Sequence, residues 1–241
     1  MTQERLQKLM ARAGYGSRRS NEALIRAGRV QLNGQTARLG DKADPTQDVV
    51  LVDGRKLRLL APTYIMLHKP KGILSSTEDE LQQNRQTVRD LVDLPGHLYP
   101  VGRLDKQSTG LILLTNDGAL AHRLTHPRFQ HEKVYNVVVA GDPSSEVLEK
   151  WAAGLDLDGK QTAPAEVKKI GGGPHSAQLK IVLREGRKRQ IRRVAALLGF
   201  PVLALERTQI GPLKLTLVDP GAWRHLTVSE VNALRAATGL N

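Results

Sequence analysis

The run Leu111-Ile112-Leu113-Leu114-Thr115 is continuous and apolar, reads as a buried strand, and constrains the fold more than any other stretch. A polar loop leads into it, Tyr99-Pro100-Val101-Gly102-Arg103-Leu104-Asp105-Lys106-Gln107-Ser108-Thr109-Gly110, with a glycine on either side of Asp105. The turn Asn116-Asp117-Gly118 follows it. A loop fixed to a buried strand holds a side chain rigidly while exposing it to a ligand. Asp105 is thus a candidate for chemistry, although residue type alone favours a turn aspartate beside a strand, which is how Asp117 reads.

The rest of the chain from Tyr64 alternates strand-like runs (64–67, 134–140, 178–183) with helix-like ones (87–91, 118–124, 144–153, 190–198). The connections are too short or irregular for a regular βαβ series, so the expectation is an α+β domain on a mixed, mainly antiparallel sheet. Gly171-Gly172-Gly173-Pro174 reads as a loop. The tail from Thr227 to Asn241 reads as a helix with Val228, Val231, Leu234 and Ala237 on one face. That pattern suits packing rather than function.

Residues 1–60 read as a separate small module of two helices plus short strands. Leu6, Leu9, Met10 and Ala13 recur at helical spacing, which predicts a helix over 4–12 ended by Gly14–Gly16. Ser17 is placed as the N-cap of a second helix, 18–27, with Ala23, Leu24 and Ala27 apolar and Gly28 as its stop. Val30-Gln31-Leu32 then leads into Asn33-Gly34, the strongest short hairpin signal, and a strand over 49–52 ends at Asp53-Gly54. Residues 56–62 read as a linker, giving expected domains of 1–60 and 63–241.

Charge narrows the partner. There are 36 Lys and Arg against 24 Asp and Glu, a formal net charge of +12. Such a surplus favours a polyanion. In the first module Arg5, Lys8, Arg12, Arg18, Arg19, Arg26 and Arg29 are opposed by little beyond Glu4 and Glu22, so a phosphate-binding face is favoured over a merely solvated one. Aromatics are 3% of residues, so charge and shape must carry most of the binding. With no cysteine, disulfides, thiolate metal sites and cysteine nucleophiles are excluded. Dinucleotide loops, Walker loops, HExxH and GxSxG motifs are absent, and the seven histidines have no ligand spacing. The expectation is therefore no metal and no cofactor. A cytoplasmic protein without a signal peptide or membrane partner is also expected, since the N-terminus is charged from Glu4 and no run approaches a membrane span.

Two further segments stand out. Glu185-Gly186-Arg187-Lys188-Arg189-Gln190-Ile191-Arg192-Arg193-Val194 crowds five cations at the start of a helix, against the helix dipole unless anions are near. Those anions are RNA phosphates or a carboxylate such as Asp105. His131-Glu132-Lys133-Val134-Tyr135-Asn136-Val137-Val138-Val139 opens a strand in which Tyr135, by itself, reads as a core or edge tyrosine.

Residues 5–34, with Ser17-Arg18-Arg19, Gly28-Arg29-Val30 and Leu32-Asn33-Gly34, resemble the S4 RNA-binding domain. His68-Lys69-Pro70-Lys71-Gly72, Gly102-Arg103-Leu104-Asp105 through Gly118, Lys133-Val134-Tyr135 and the basic segment together resemble the pseudouridine synthases. The resemblance is to the branch that fuses an S4 domain to the catalytic domain, and it covers essentially the whole chain. It implies isomerisation of uridine to pseudouridine in ribosomal RNA without a cofactor. Large-subunit RNA is favoured; small-subunit RNA, or a non-catalytic S4-type binding factor, is the alternative. It implies Asp105 as nucleophile, Arg192 as its ion-pair partner, and Tyr135 as the residue that stacks on uracil and takes the C5 proton. Arg103, Ile191, Lys69 and Arg189 are implied substrate contacts. Arg5, Lys8, Arg12, Ser17, Arg18, Arg19 and Arg29 are implied RNA contacts. The implied partner is ribosomal RNA or a ribosome assembly intermediate, met by a monomer. Burial alone neutralises a carboxylate, and a nearby guanidinium reverses this, which gives the cation cluster a purpose.

Overall fold

The computed structural model describes residues 3–240. Their contacts define two compact units: one runs through Thr63 and adds Asp93–Tyr99 and Thr115–Gly118, and the other holds the remainder.

The first unit contains β1 (Glu4–Arg5), α1 (Leu6–Arg12), α2 (Arg18–Arg26), β2 (Val30–Leu32), β3 (Gln35–Thr36), β4 (Lys42–Ala43), β5 (Val50–Val52) and β6 (Arg55–Lys56). Glu4 and Arg5 are extended because they pair with β4, so α1 begins at Leu6, later than its spacing suggested. Leu6, Leu9 and Met10 are fully buried against Ile25, Val30 and Val52. Each such side chain contributes about 1.5–3 kcal/mol. Ser17 caps α2 by accepting a bond from the Ser20 amide at 3.1 Å. The buried face of α2 is Asn21 and Ile25, whereas Ala23 and Ala27 are exposed. Asn21 donates to the carbonyls of Gln7 and Gly16, which is how a polar residue occupies that face. Strands β3-β2-β5-β6 form an antiparallel sheet whose Asn33-Gly34 and Asp53-Gly54 turns both have positive φ. The expected linker is partly ordered: Lys56 ends β6, and the Leu60 amide bonds the Arg12 carbonyl at 3.4 Å. Asn116 accepts from the Thr63 amide and donates to the Ala61 carbonyl.

The large sheet, most of which belongs to the second unit, is built on β7 (Tyr64–Lys69), β8 (Tyr99–Pro100), β9 (Thr109–Thr115), β10 (Lys133–Ala140), β11 (Glu166–Gly173), β12 (Ser176–Leu183), β13 (Val202–Ile210), β14 (Leu213–Lys214) and β15 (Trp223–His225). The accompanying helices are α3 (Gly118–Thr125), α4 (Ser145–Ala153), α5 (Gln190–Leu197) and α6 (Val228–Thr238). The strand order is β11-β12-β10-β13-β9-β7-β15, with β14 on β13 and β8 on β9. β13 runs parallel to β9 and antiparallel to β10, so the sheet is mixed and mainly antiparallel as expected. Val137, Leu179, Ile181, Trp151 and Val194 form a core between the sheet and the helices α4 and α5.

Four local expectations are corrected. Residues 87–91 form a turn, because the Asp90 carboxylate accepts from both the amide and the hydroxyl of Thr87 and so competes with helix bonds. Gly171–Gly173 belongs to β11, paired with β12 across a bulge. β13 was not anticipated, since Glu206-Arg207-Thr208-Gln209 hides its strand character. On α6 the buried residues are Leu234 and Thr238, while Val228 is 77% exposed; Asn241 lies outside the described residues.

Candidate active site

Asp105 opens a turn closed by the Ser108 amide, which donates to the Asp105 carbonyl at 2.9 Å. The flanking backbone is clamped from β7 and the residues after it. The Ser75 hydroxyl donates to the Leu104 carbonyl (2.8 Å) and accepts from the Leu104 amide (3.0 Å). The Gly72 amide donates to the Lys106 carbonyl at 2.8 Å. Lys69, expected to touch substrate, is instead fully buried and does not line the cavity. Its ammonium donates to the carbonyls of Pro70 (3.0 Å), Lys106 (3.4 Å) and Ser108 (2.8 Å), so it supports the turn from beneath. Burial pushes its pKa down to about 8; Asp105 opposes that shift and Arg207 adds to it.

On the other side the turn is tied to β13. Gly110 faces Arg207 in the parallel register, and a Cβ on Gly110 would lie 2.3 Å from the Arg207 carbonyl oxygen. Only glycine permits that approach. Arg207 is itself buried, with Nε donating to the Leu111 carbonyl at 2.9 Å and Nη2 without a partner.

Asp105 stands at a cavity of about 110 Å³. Tyr135 from β10, Ile191 from α5, and Leu104, Leu183 and Leu205 give it apolar walls. Arg103, Arg187, Arg189 and Arg192 supply its positive rim. Arg189 Nη1 is 3.8 Å and Arg192 Nε 4.0 Å from Asp105 Oδ2. These are ion-pair distances beyond hydrogen bonding, so the carboxylate is neutralised in field while its lone pairs stay free. Arg192 is held by its Nη2, which donates to the Gln107 carbonyl and to Ser108 Oγ, each at 3.2 Å. Burial lowers its pKa, Arg189 lowers it further, and Asp105 opposes.

The basic segment owes its shape to Glu185. One of its oxygens accepts from the Ala163 amide (2.9 Å) and from Gln190 Nε2 (2.8 Å). Arg187 binds the Lys160 carbonyl at 2.6 Å and the Gln161 carbonyl, which ties the basic segment to the loop before β11. Arg189 adopts the left-handed conformation at φ 53° as the N-cap of α5, and its side chain reaches Asp105 rather than capping the helix.

The structure thus brings Asp105, Tyr135, Ile191, Arg192, Arg103 and Arg189 to one cavity. Gly72, Ser75, Glu185 and Arg207 were missed as supports. For Arg207 the signal was a charged residue inside a run otherwise suited to a strand; for Ser75 there was none. Among the described residues no group of three His, Asp or Glu side chains is placed to hold a metal ion.

In the first unit Arg5, Arg18 and Arg19 are exposed, with no carboxylate at ion-pair distance among the described residues. Lys8 and Arg12 share Glu4, at 3.6 and 3.1 Å. Arg29 is exposed and makes two 2.7 Å bonds to Asp53, at the turn between β5 and β6. The Ser17 hydroxyl is occupied as the cap of α2.

The chain belongs to the RNA pseudouridylate synthase family, whose model matches residues 63–197. It is an isomerase of uridine in RNA, and the S4 domain model matches residues 4–50 ahead of that catalytic part. It is similar to ribosomal large subunit pseudouridine synthase B of Bacillus subtilis (strain 168), 39% identical over 97% of this chain and 96% of that protein. It is also similar to an uncharacterized RNA pseudouridine synthase of Aquifex aeolicus (strain VF5), 38% identical over 100% of this chain and 97% of that one. A crystal structure of a pseudouridylate synthase superposes with a TM-score of 0.68 at 31% identity, covering 95% of this chain and 99% of that chain.

Proposed function

We propose that the protein converts a specific uridine of ribosomal RNA, in the large subunit, to pseudouridine, with Asp105 as the nucleophile. The observation that carries this reading is a carboxylate flanked by two guanidiniums, at 3.8 and 4.0 Å, beside an apolar slot between Tyr135 and Ile191. The relative from Bacillus subtilis, named for the large ribosomal subunit, supports the choice of RNA.

The target uridine leaves its stack, at a cost of a few kcal/mol, and its base enters the slot. The C1′–N1 bond breaks, the uracil turns, and C5 bonds to C1′. The proton on C5 leaves, and N1 ends protonated, so the product is an isomer. Asp105 supplies the ionised carboxylate that this rearrangement needs, stabilised by Arg192 and Arg189. Tyr135 stacks on the base and takes the C5 proton, directly or through a water. Ile191 packs on the opposite side. Arg103, exposed two residues before Asp105, meets the RNA beside the displaced nucleotide.

Residues 1–60 then serve as the phosphate-binding part, through Arg5, Lys8, Arg12, Arg18 and Arg19, and residues 63–241 as the catalytic part. The protein acts as a monomer, in the cytoplasm, on ribosomal RNA free or within an assembly intermediate. Among the described residues no helix is long and apolar enough to cross a membrane.

The test is pseudouridine mapping on large- and small-subunit ribosomal RNA from cells lacking the protein, complemented with wild type or Asp105→Asn. One large-subunit uridine is expected to lose its mark and to regain it only with wild type. A small-subunit site would reassign the substrate. A site restored equally by Asp105→Asn would remove the nucleophile.

A further inference from the structure

A surface cluster outside the cavity is unlike the rest of this aromatic-poor chain. Between Gly118 and His131 there is no carboxylate, yet the segment holds three histidines, two arginines and one of the two phenylalanines. The rings of His122 and His126 lie 5.1 Å apart, and Phe129 meets them edge-on at 6.2 and 6.1 Å. His131 stacks on Phe129 at 6.3 Å. The Arg128 guanidinium lies over the Phe129 ring at 4.4 Å. Arg123 also approaches that ring, but its Nη1 donates to the Thr238 carbonyl at 2.6 Å. Arg128 differs: it is exposed and has no carboxylate at ion-pair distance among the described residues. His126 fixes the turn by accepting from the Arg128 amide at 3.2 Å.

The cluster sits beside the elements that build the cavity. A Cβ on Gly102 would meet Thr125 Cγ2 at 3.6 Å, so the end of α3 lies against the loop leading into Arg103 and Asp105. The segment then enters β10, where Lys133 faces the cavity-lining Leu183 and Tyr135 follows two residues on. A guanidinium held over a ring by cation–π attraction still has N–H groups to offer a phosphate, and exposed imidazoles offer faces to unstacked bases.

We propose that Arg128, held over the ring of Phe129 and flanked by His122 and His126, is a second RNA contact that takes the backbone of the nucleotides next to the target uridine. This rests on the reading of the cavity as a uridine site in RNA. It adds that affinity for RNA is set partly at the end of α3 as well as by the basic helices of the first unit.

The test is filter binding of a large-subunit ribosomal RNA transcript across a salt series, with wild type, Arg128→Gln, Phe129→Ala and Lys168→Gln. Lys168 is an exposed cation of β11 and controls for net charge. Arg128→Gln is expected to weaken binding about three- to tenfold and to lower the slope of log Kd against log salt by about 0.7–0.9. Phe129→Ala is expected to lose a similar factor by freeing Arg128, and Lys168→Gln to bind like wild type. If Arg128→Gln binds as tightly as wild type, or Lys168→Gln loses as much, the contact does not exist. Should Phe129→Ala fail to fold by thermal melt, the exposed Arg128→Gln decides alone. Pseudouridine formation by wild type on the same transcript is scored separately: its absence would count against the uridine reading, whereas the platform is judged by binding.

Discussion

Replacing Gly110 with alanine tests how the loop that carries Asp105 is held. The added Cβ would lie 2.3, 2.6 and 2.9 Å from the carbonyl oxygen, nitrogen and carbonyl carbon of Arg207. An ordinary contact begins at 3.4 Å, so the two strands must separate by about 1 Å. Their parallel pairing covers Thr109 with Glu206 and Gly110 with Arg207, and little remains once it is pushed apart. The φ of +105° adds about 1–2 kcal/mol for a residue with a Cβ, and overpacking adds about 1–3 kcal/mol. A total of about 3 kcal/mol lowers the Tm by roughly 6–12 °C in a unit of this size. Because β9 follows directly on the Asp105 turn, pseudouridine formation in a single turnover is expected to fall at least about tenfold even well below the Tm. Gly173→Ala is the control, since its Cβ meets nothing within 4 Å and its φ is not positive. If Gly110→Ala melted within about 2 °C of wild type and turned over at the same rate, the close approach of β9 and β13 would not be what holds the site.

Arg192→Gln loses the bonds to Gln107 and Ser108 and the charge beside Asp105, so single-turnover rates are expected to fall by about 100-fold or more with RNA affinity nearly kept. Lys69 gives up its proton at about pH 8 in the folded protein and at 10.5 when unfolded. The unfolded chain binds more protons between those values, so this group makes stability rise with pH across that window. Melting wild type and Lys69→Met from pH 7.5 to 9.5 should show a rise only in wild type; parallel curves would rule out titration of Lys69 there. Arg224 holds the Glu230 carboxyl at about 2, against an ordinary 4.5. Its stabilisation is present above pH 4.5 and lost as pH falls toward 2, which a comparison with Glu230→Gln in acid melts would detect. Thr227→Ala removes the hydroxyl that caps α6 and is expected to cost about 1 kcal/mol in urea unfolding.

Periodicity and turn chemistry made much of the fold legible. The buried strand after Asp105, the two Asn-Gly and Asp-Gly hairpins and the starts of α2 and α5 follow from residue pattern alone. The segments around Asp105, Tyr135 and Arg192 also stand out in the sequence, and the structure sets them round one cavity. What stayed hidden depends on partners far along the chain. Lys69 was expected as a substrate contact, because its burial is decided by three backbone carbonyls that no local pattern announces. The pairing of Arg29 with Asp53, 24 residues further on, is equally invisible in the local sequence. β13 escaped notice because Glu206-Arg207-Thr208-Gln209 interrupts its apolar run, and Arg207 is buried only where its guanidinium finds the Leu111 carbonyl.

The pairing of β9 with β13 also bears on how the enzyme is made. Arg207 bonds the carbonyl of a residue 96 positions earlier. During synthesis the Asp105 turn leaves the ribosome long before β13 exists to brace it, and α5, with Arg189 and Arg192, emerges only shortly ahead of β13. A nascent chain halted anywhere before Val202 therefore carries the carboxylate without the scaffold that aims it. Activity arrives late in translation, and no amino-terminal fragment short of β13 can serve as a smaller version of the enzyme.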